Sequence, residues 1–174
     1  MRIHTHSIFQ FIQLYLIGYC LILTGCQSIH LTTRVHQTIR YVIPEDIEDK
    51  RKLVLEEAIK LIGTPYCKGG ITPFCSDCSG FVTQVFRSIG VKAPRTAHDQ
   101  YLAYGSEDII PEPGDLIFFR YANNERISHV AIYGGNEYII HASEKKGVIV
   151  TTLTYMRKHI VGYGRLPIQE FSSK

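Results

Sequence analysis

The chain has 174 residues, 45% of them hydrophobic and 20% charged, and a formal net charge of +3 at pH 7. That is the balance of a globular domain with a core rather than of a disordered chain. With so small an excess of cations and no basic run, composition gives no case for a nucleic-acid partner.

Arg2 opens the chain, a mostly apolar run follows from Ile8 to Leu23, and Leu23-Thr24-Gly25-Cys26 ends it. The run is short for a membrane-spanning helix and suits an export signal. Leu-Thr-Gly-Cys resembles a bacterial lipobox. The resemblance implies that residues 1–25 are a lipoprotein signal peptide and that Cys26 becomes the lipidated first residue, anchored in a membrane. Gln27, where an aspartate would favour inner-membrane retention, suits the outer membrane, facing the periplasm. An ordinary signal peptide or an anchor helix is the alternative. Residues 26–44 read as the lipidated N-terminus and a tether, in which a short strand near Arg40 to Ile43 is not excluded.

The domain is expected over residues 45–168, with a tail at 169–174. Glu45 to Ile62 reads as a helix with Ile47, Val54, Leu55, Ala58, Ile59 and Ile62 on one side. Gly63 and Pro65 stop it, and Gly63 to Asp77 reads as a loop. Phe81, Val82, Val85, Phe86 and Ile89 then repeat at helical spacing up to Gly90. Ser76 and Asp77 are N-cap types, so Cys78 falls at the first turn, where free backbone N–H groups and the helix dipole favour a thiolate. A cysteine so placed becomes a nucleophile if a histidine reaches it; otherwise it is a buried helix cysteine. Thr96 can cap a short helix from Ala97 to Tyr104, and Pro111 to Asp115 is a turn cluster.

From there the period changes to two. Leu116 to Arg120, His129 to Tyr133, Glu137 to Ala142, Val148 to Thr152 and Ile160 to Leu166 read as strands. Helices followed by a run of strands predict an α+β domain, its N-terminal helices packed on a meandering antiparallel sheet of about five strands. A three-residue hairpin loop, Gly134-Gly135-Asn136, pairs Tyr133 with Glu137 and sets His129 opposite His141 on one face. Two imidazoles so placed, one facing the cysteine of a helix packed over the sheet, would make a base and its orienter. His36, His98 and His159 lack such company and read as surface residues, although His98 can lie near the groove.

Five cysteines are present: Cys20, Cys26, Cys67, Cys75 and Cys78. The first leaves with the signal and the second takes lipid. In an oxidising compartment the other three tend to pair. A Cys67–Cys75 disulfide leaves Cys78 free; a Cys75–Cys78 bridge masks it.

Gly63-Thr64-Pro65-Tyr66, Gly69-Gly70, Asp77-Cys78-Ser79-Gly80-Phe81-Val82, Pro94-Arg95-Thr96, Pro113-Gly114-Asp115-Leu116-Ile117-Phe118-Phe119, His129-Val130-Ala131-Ile132-Tyr133 and Ile140-His141-Ala142 resemble, in order and spacing, the NlpC-type peptidases. The resemblance spans roughly Val54 to Leu166. It implies a papain-like fold and cleavage of peptidoglycan stem peptides, commonly at the γ-D-glutamyl–diaminopimelate bond. It implies Cys78 as nucleophile, His129 as base and His141 as orienter, with Tyr66 and the Cys78 backbone N–H at the oxyanion. Asp77 and Ser79, and with less weight Arg95, match positions that hold the polar end of the stem peptide. No cofactor and no metal are called for, and protein partners stay open.

Cys67 and the pair Cys75-Ser76 depart from the family's pattern. Cys75 and Cys78 form a CxxC, which leaves open a dithiol redox site, a regulatory lock, or a zinc site with Cys67 and a histidine. A wall-binding or regulatory lipoprotein without activity is the second reading of function; an amidase or acyltransferase on the same fold is the third.

Overall fold

The helical spacing from Phe81 to Phe86 folds as expected. A computed structural model of the chain describes residues 41–121 and 124–165. Among them are three α-helices: α1, Asp49–Lys60; α2, Cys78–Ser88; and α3, Ala97–Tyr104. Eight short strands accompany them: β1 (Ile71–Thr72), β2 (Cys75–Ser76), β3 (Gly105–Ser106), β4 (Leu116–Phe119), β5 (His129–Gly135), β6 (Tyr138–Ser143), β7 (Gly147–Thr152) and β8 (Ile160–Gly164). The expected signal peptide (1–25), Cys26 and the tail (169–174) lie outside the described residues.

The main sheet runs β3-β8-β4-β5-β6-β7, antiparallel throughout. It is the α+β, papain-like arrangement anticipated, with two differences of detail. The meander covers β4 to β7, while β8 crosses back to the other edge of β4. A two-residue strand, β3, is added beyond β8, too short to show a period of two.

The sheet divides its side chains by parity. Leu116, Phe118, Val130, Ile132, Ile140 and Ala142 point to one face and bury against Phe81, Val82, Val85 and Phe86 of α2 and Val54, Leu55 and Ala58 of α1. Ile117, Phe119, Ala131 and Ile139 point to the other, covered by Leu153. The strip of buried apolar side chains on α2 is continuous because its period matches the helix. Helix α1 is shorter than the expected Glu45–Ile62, starting after Glu48.

Part of the expected tether is packed rather than free. The Tyr41 hydroxyl donates to the Gly134 carbonyl at 2.7 Å, and its ring lies 5.9 Å from that of Tyr138. The segment from 41 to 44 carries no strand. The expected 63–77 loop contains the β1–β2 hairpin.

A buried ion-pair cluster fixes α1 to the start of β4. Asp115 is fully buried; its Oδ1 accepts from Arg51 Nη1 at 2.7 Å, and Arg165 Nη2 lies 3.3 Å from Oδ2. Arg51 also reaches Glu112 at 3.0 Å and the Pro113 carbonyl at 3.1 Å. Removing one partner of such a pair leaves a charge without compensation in the core. Arg51→Ala is therefore expected to destabilise the protein by about 3 kcal/mol in denaturant titration; a loss below ~0.5 kcal/mol would show that Arg165 alone compensates Asp115.

Candidate active site

Asp77 fixes the mouth of α2. Its Oδ1 accepts from the Gly80 N–H at 2.7 Å, an N-cap bond that leaves Cys78 as the first helical residue. The same carboxylate takes the Ser79 hydroxyl at 3.2 Å, Arg95 Nη1 at 3.0 Å, Arg95 Nη2 at 2.7 Å and the Gly69 N–H at 2.9 Å. Arg95 also donates to Ser79 Oγ at 3.0 Å and to the Gly70 carbonyl at 3.3 Å. Asp77, Ser79 and Arg95, expected to hold substrate, are thus joined in one network that anchors the helix to the preceding loop. Burial alone would raise the Asp77 carboxyl, but Arg95 and the Gly80 and Gly69 N–H groups outweigh it and hold the carboxyl below its usual range.

The loop is closed by a Cys67–Cys75 disulfide, with Cα atoms 5.5 Å apart, and Cys78 is free and buried. With Cys67 and Cys75 bonded to each other, neither the CxxC dithiol nor the thiolate zinc set is formed. Close approach explains a glycine of the motif: a Cβ at Gly80 would lie 2.0 Å from the Gly70 carbonyl oxygen. Only a bare Cα lets this loop lie against the first turn of α2.

His129 and His141 do come together, by a register different from the one expected. Strand β5 continues through Gly134 and Gly135, and the turn falls at Asn136 and Glu137, both with positive φ (48° and 67°). Gly135 pairs with Tyr138, Tyr133 with Ile139 and Ile132 with Ile140, with a bulge at Gly134. Relative to the expected pairing the strands are displaced by two residues. Parity survives a slip of two, so both rings stay on one face as diagonal neighbours. His129 Nε2 lies 2.9 Å from His141 Nδ1, with the ring planes at 87°. Phe119 and Tyr121 flank His129, with ring centroids at 5.7 and 6.1 Å.

The two imidazoles share the face of Phe119 and Ala131, opposite the one on which α2 packs. The thiol is therefore not lowered onto them across the sheet. The β5–β6 ladder's last registered pair toward this end is Ile132–Ile140; two residues on, the Val130 N–H is near enough to the Cys78 thiol to draw its pKa down. Cys78 thus sits at the open end of the sheet, beside the residue that follows His129.

Burial sets the resting charges. It pushes the Cys78 thiol up, against the N–H groups of Val130, Ser79 and Cys78 that draw it down, and the Asp77 charge adds to the rise. Burial lowers His129 to about 3, aided by His141, and lowers His141 to about 4. The helix mouth acts as expected, but desolvation outweighs it: the resting pair is a thiol and neutral imidazoles. Burial also raises the Tyr66 phenol, as do the neighbouring Cys78, Glu144 and Asp77, so its hydroxyl remains a donor. Among the described residues no set of three or more His, Cys, Asp or Glu converges to hold a metal.

A groove of ≈ 700 Å³ runs past Tyr66, Cys78 and Ser128 to α3. His98 lines it, and its Nδ1 is buried without a partner. Two positions escaped the sequence reading. Gln100 is fully buried and donates to the Ser79 carbonyl at 3.1 Å and the Pro94 carbonyl at 2.9 Å, bracing the first turn of α2 from α3. Tyr121 lies past the end of β4 beside His129; its place two residues after Phe119 is the one signal that could have found it.

The chain has relatives of this architecture. The NlpC/P60 family pattern matches residues 63–165. A probable endopeptidase p60 of Listeria welshimeri is 38% identical over 116 residues, 65% of this chain and 22% of that protein. A γ-D-glutamyl-L-lysine dipeptidyl-peptidase of Bacillus subtilis is 35% identical over 104 residues, 58% of this chain and 35% of the other. The chain thus spans well under half the length of these curated relatives. The solved peptidoglycan hydrolase RipB of Mycobacterium tuberculosis superposes with a TM-score of 0.58 at 27% identity, covering 67% of this chain and 64% of that one.

Two outcomes follow for the resting site. With no reductant present, iodoacetamide should modify Cys78 but not Cys67 or Cys75 in peptide maps of the folded protein, at a rate whose midpoint lies above that of a free thiol; a plateau already reached at neutral pH would mean a preformed thiolate. Folded His129 and His141 have lower pKa values than the unfolded ~6.5, so the unfolded chain binds more protons below that pH. Stability conferred by the neutral rings is full above pH ~6.5 and falls as the pH drops toward about 4 and about 3. Denaturant midpoints measured across this window should decline, and less steeply in His141→Asn.

Proposed function

The chain belongs to the NlpC/P60 family, and on that premise we propose that it is a peptidoglycan hydrolase, a cysteine endopeptidase that cuts stem peptides at the γ-D-glutamyl–diaminopimelate bond. The observation that carries the reading is the 2.9 Å contact between His129 Nε2 and His141 Nδ1, with His129 next in chain to Val130, whose N–H acts on the Cys78 thiol. The Listeria welshimeri relative, a probable endopeptidase, and the Bacillus subtilis relative, a γ-D-glutamyl-L-lysine dipeptidyl-peptidase, support the reaction class.

The hydrogen bond assigns the protons. For His129 to accept at Nδ1, its Nε2 carries hydrogen and donates to His141 Nδ1, so His141 is protonated at Nε2. In the first step the Cys78 proton passes to His129 Nδ1 and the sulfur bonds to the scissile carbonyl carbon. The new imidazolium keeps its Nε2–H on His141. The carbonyl oxygen becomes an oxyanion, for which the Tyr66 hydroxyl and the Cys78 backbone N–H are the donors. Collapse breaks the C–N bond; His129 gives its proton to the leaving amine, and a thioester remains. Water, deprotonated by His129, then adds to the thioester and releases a γ-D-glutamyl carboxylate and the thiol.

Because the resting pair is neutral, forming the thiolate belongs to the barrier. The site is then worth most where charge appears during attack, at the oxyanion and the imidazolium. Residues 1–25 and Cys26 fit a lipoprotein signal and anchor, so we place the enzyme on the outer membrane, facing the periplasm, with its domain beyond the tether.

The test is incubation with purified muropeptides and product analysis by mass. A new γ-D-glutamyl carboxylate should form, and Cys78→Ala and His129→Ala should abolish it. Tyr66→Phe should lower kcat by about 100- to 1,000-fold with KM little changed. Intact muropeptides with binding retained would favour the wall-binding reading instead.

A further inference from the structure

Resting on the endopeptidase reading, we propose that Lys68 and Arg126 form a carboxylate-reading subsite in the groove beside Cys78, so that the protein prefers stem peptides with free acidic groups over the same peptides amidated. Both residues line the groove and both are exposed. Lys68 comes from the disulfide-closed loop, two residues after Tyr66. Arg126 comes from the connection between β4 and β5, two residues before Ser128.

The charges in this groove are unequally committed. Arg95 is spent on Asp77, with Nη2 to Oδ2 at 2.7 Å and Nη1 to Oδ1 at 3.0 Å. Asp99 is held by its own helix, where it sits in the first turn of α3 and its Oδ2 accepts the Thr96 hydroxyl at 2.6 Å. Lys68 and Arg126 make no hydrogen bond or ion pair among the described residues. Asp99 has no cation partner among the described residues, so beside the Arg95–Asp77 pair the groove holds Lys68 and Arg126 against Asp99, an excess of positive charge. The further carboxylate near the site, Glu144, acts on Tyr66 and Tyr121 and does not line the groove. In the same wall the His98 Nδ1 has lost water and gained no protein partner. A buried polar atom in that state is costly unless a ligand satisfies it.

Free cations flanking a nucleophile select for anions on the substrate. A γ-linked glutamyl residue keeps its α-carboxylate beside the scissile amide, and diaminopimelate beyond it keeps carboxylates of its own. Both offer the same chemistry, and selective amidation separates them.

The experiment uses the full chain in two forms. Cys78→Ala reads binding by calorimetry, and the unsubstituted protein reads cleavage. The ligands are one tripeptide, L-alanyl-γ-D-glutamyl-diaminopimelate, and its forms amidated at the glutamyl α-carboxylate or at diaminopimelate. Amidation at one of the two sources is expected to weaken binding by about tenfold, roughly up to fivefold per cation. The discrimination should shrink when salt is raised from about 20 to about 500 mM, as the screening length shortens. Lys68→Gln/Arg126→Gln should bring the ratio to within about twofold, and Lys68→Glu/Arg126→Glu should reverse it. Both sites are exposed, so these variants should keep the wild-type melting temperature.

Equal binding of all three peptides, or discrimination untouched by the glutamine pair, overturns the subsite. Preferential binding of the free peptide with no cleavage overturns the endopeptidase reading and leaves the subsite standing. Cleavage of all three at equal efficiency overturns the subsite and leaves the endopeptidase reading standing.

Discussion

A hydrogen bond between two buried imidazoles is the constraint on which this site depends. His129 Nε2 and His141 Nδ1 stand 2.9 Å apart, too close for both to carry a proton, so one must donate and the other accept. The contact fixes a tautomer without an acidic orienter. A carboxylate in place of His141 would hold the His129 imidazolium more strongly. With imidazole there instead, burial dominates, and both rings rest neutral.

The rest of the fold serves to bring a thiol to that pair. Helix α2 is held by its apolar strip on one sheet face while the rings lie on the other, so the sulfur meets the sheet at its end. That end is built from the loop between α1 and α2. A disulfide closes the loop, Gly69 turns it with a φ of 78°, and Asp77 joins it to Arg95 and to the N-cap of α2. The Asp77 carboxylate already receives five donors. The carboxylate subsite proposed above, Lys68 and Arg126, lies outside that motif.

Much of the site was legible before any coordinates. The apolar spacing from Phe81 to Phe86 and the cap at Asp77 put Cys78 at a helix mouth, and the period-two runs gave the strands from β4 to β8. The hairpin register was not legible. The pair Gly134-Gly135 invites a turn, yet the chain turns at Asn136 and Glu137, since a bulge absorbs a glycine and the left-handed positions fall one step later. The histidine pairing survived only because the displacement was even. The face on which α2 packs was likewise hidden, because parity along a strand says which residues share a side, not which side the helix takes. The helix mouth alone favours a thiolate, but burial raises the Cys78 thiol; desolvation acts in three dimensions and leaves no mark in spacing. The docking of Tyr41 on Gly134 had no local signal either.

The central claim is most directly tested by nitrogen-15 NMR of the imidazoles in the intact protein, titrated from neutral to acid pH. The account predicts that at pH 7 His129 carries its proton at Nε2 and His141 at Nε2, with His141 Nδ1 as acceptor, and that both rings stay neutral until the pH approaches about 4. Rings that protonate independently near pH ~6.5, or a His129 already charged at pH 7 beside a Cys78 thiolate, would contradict it.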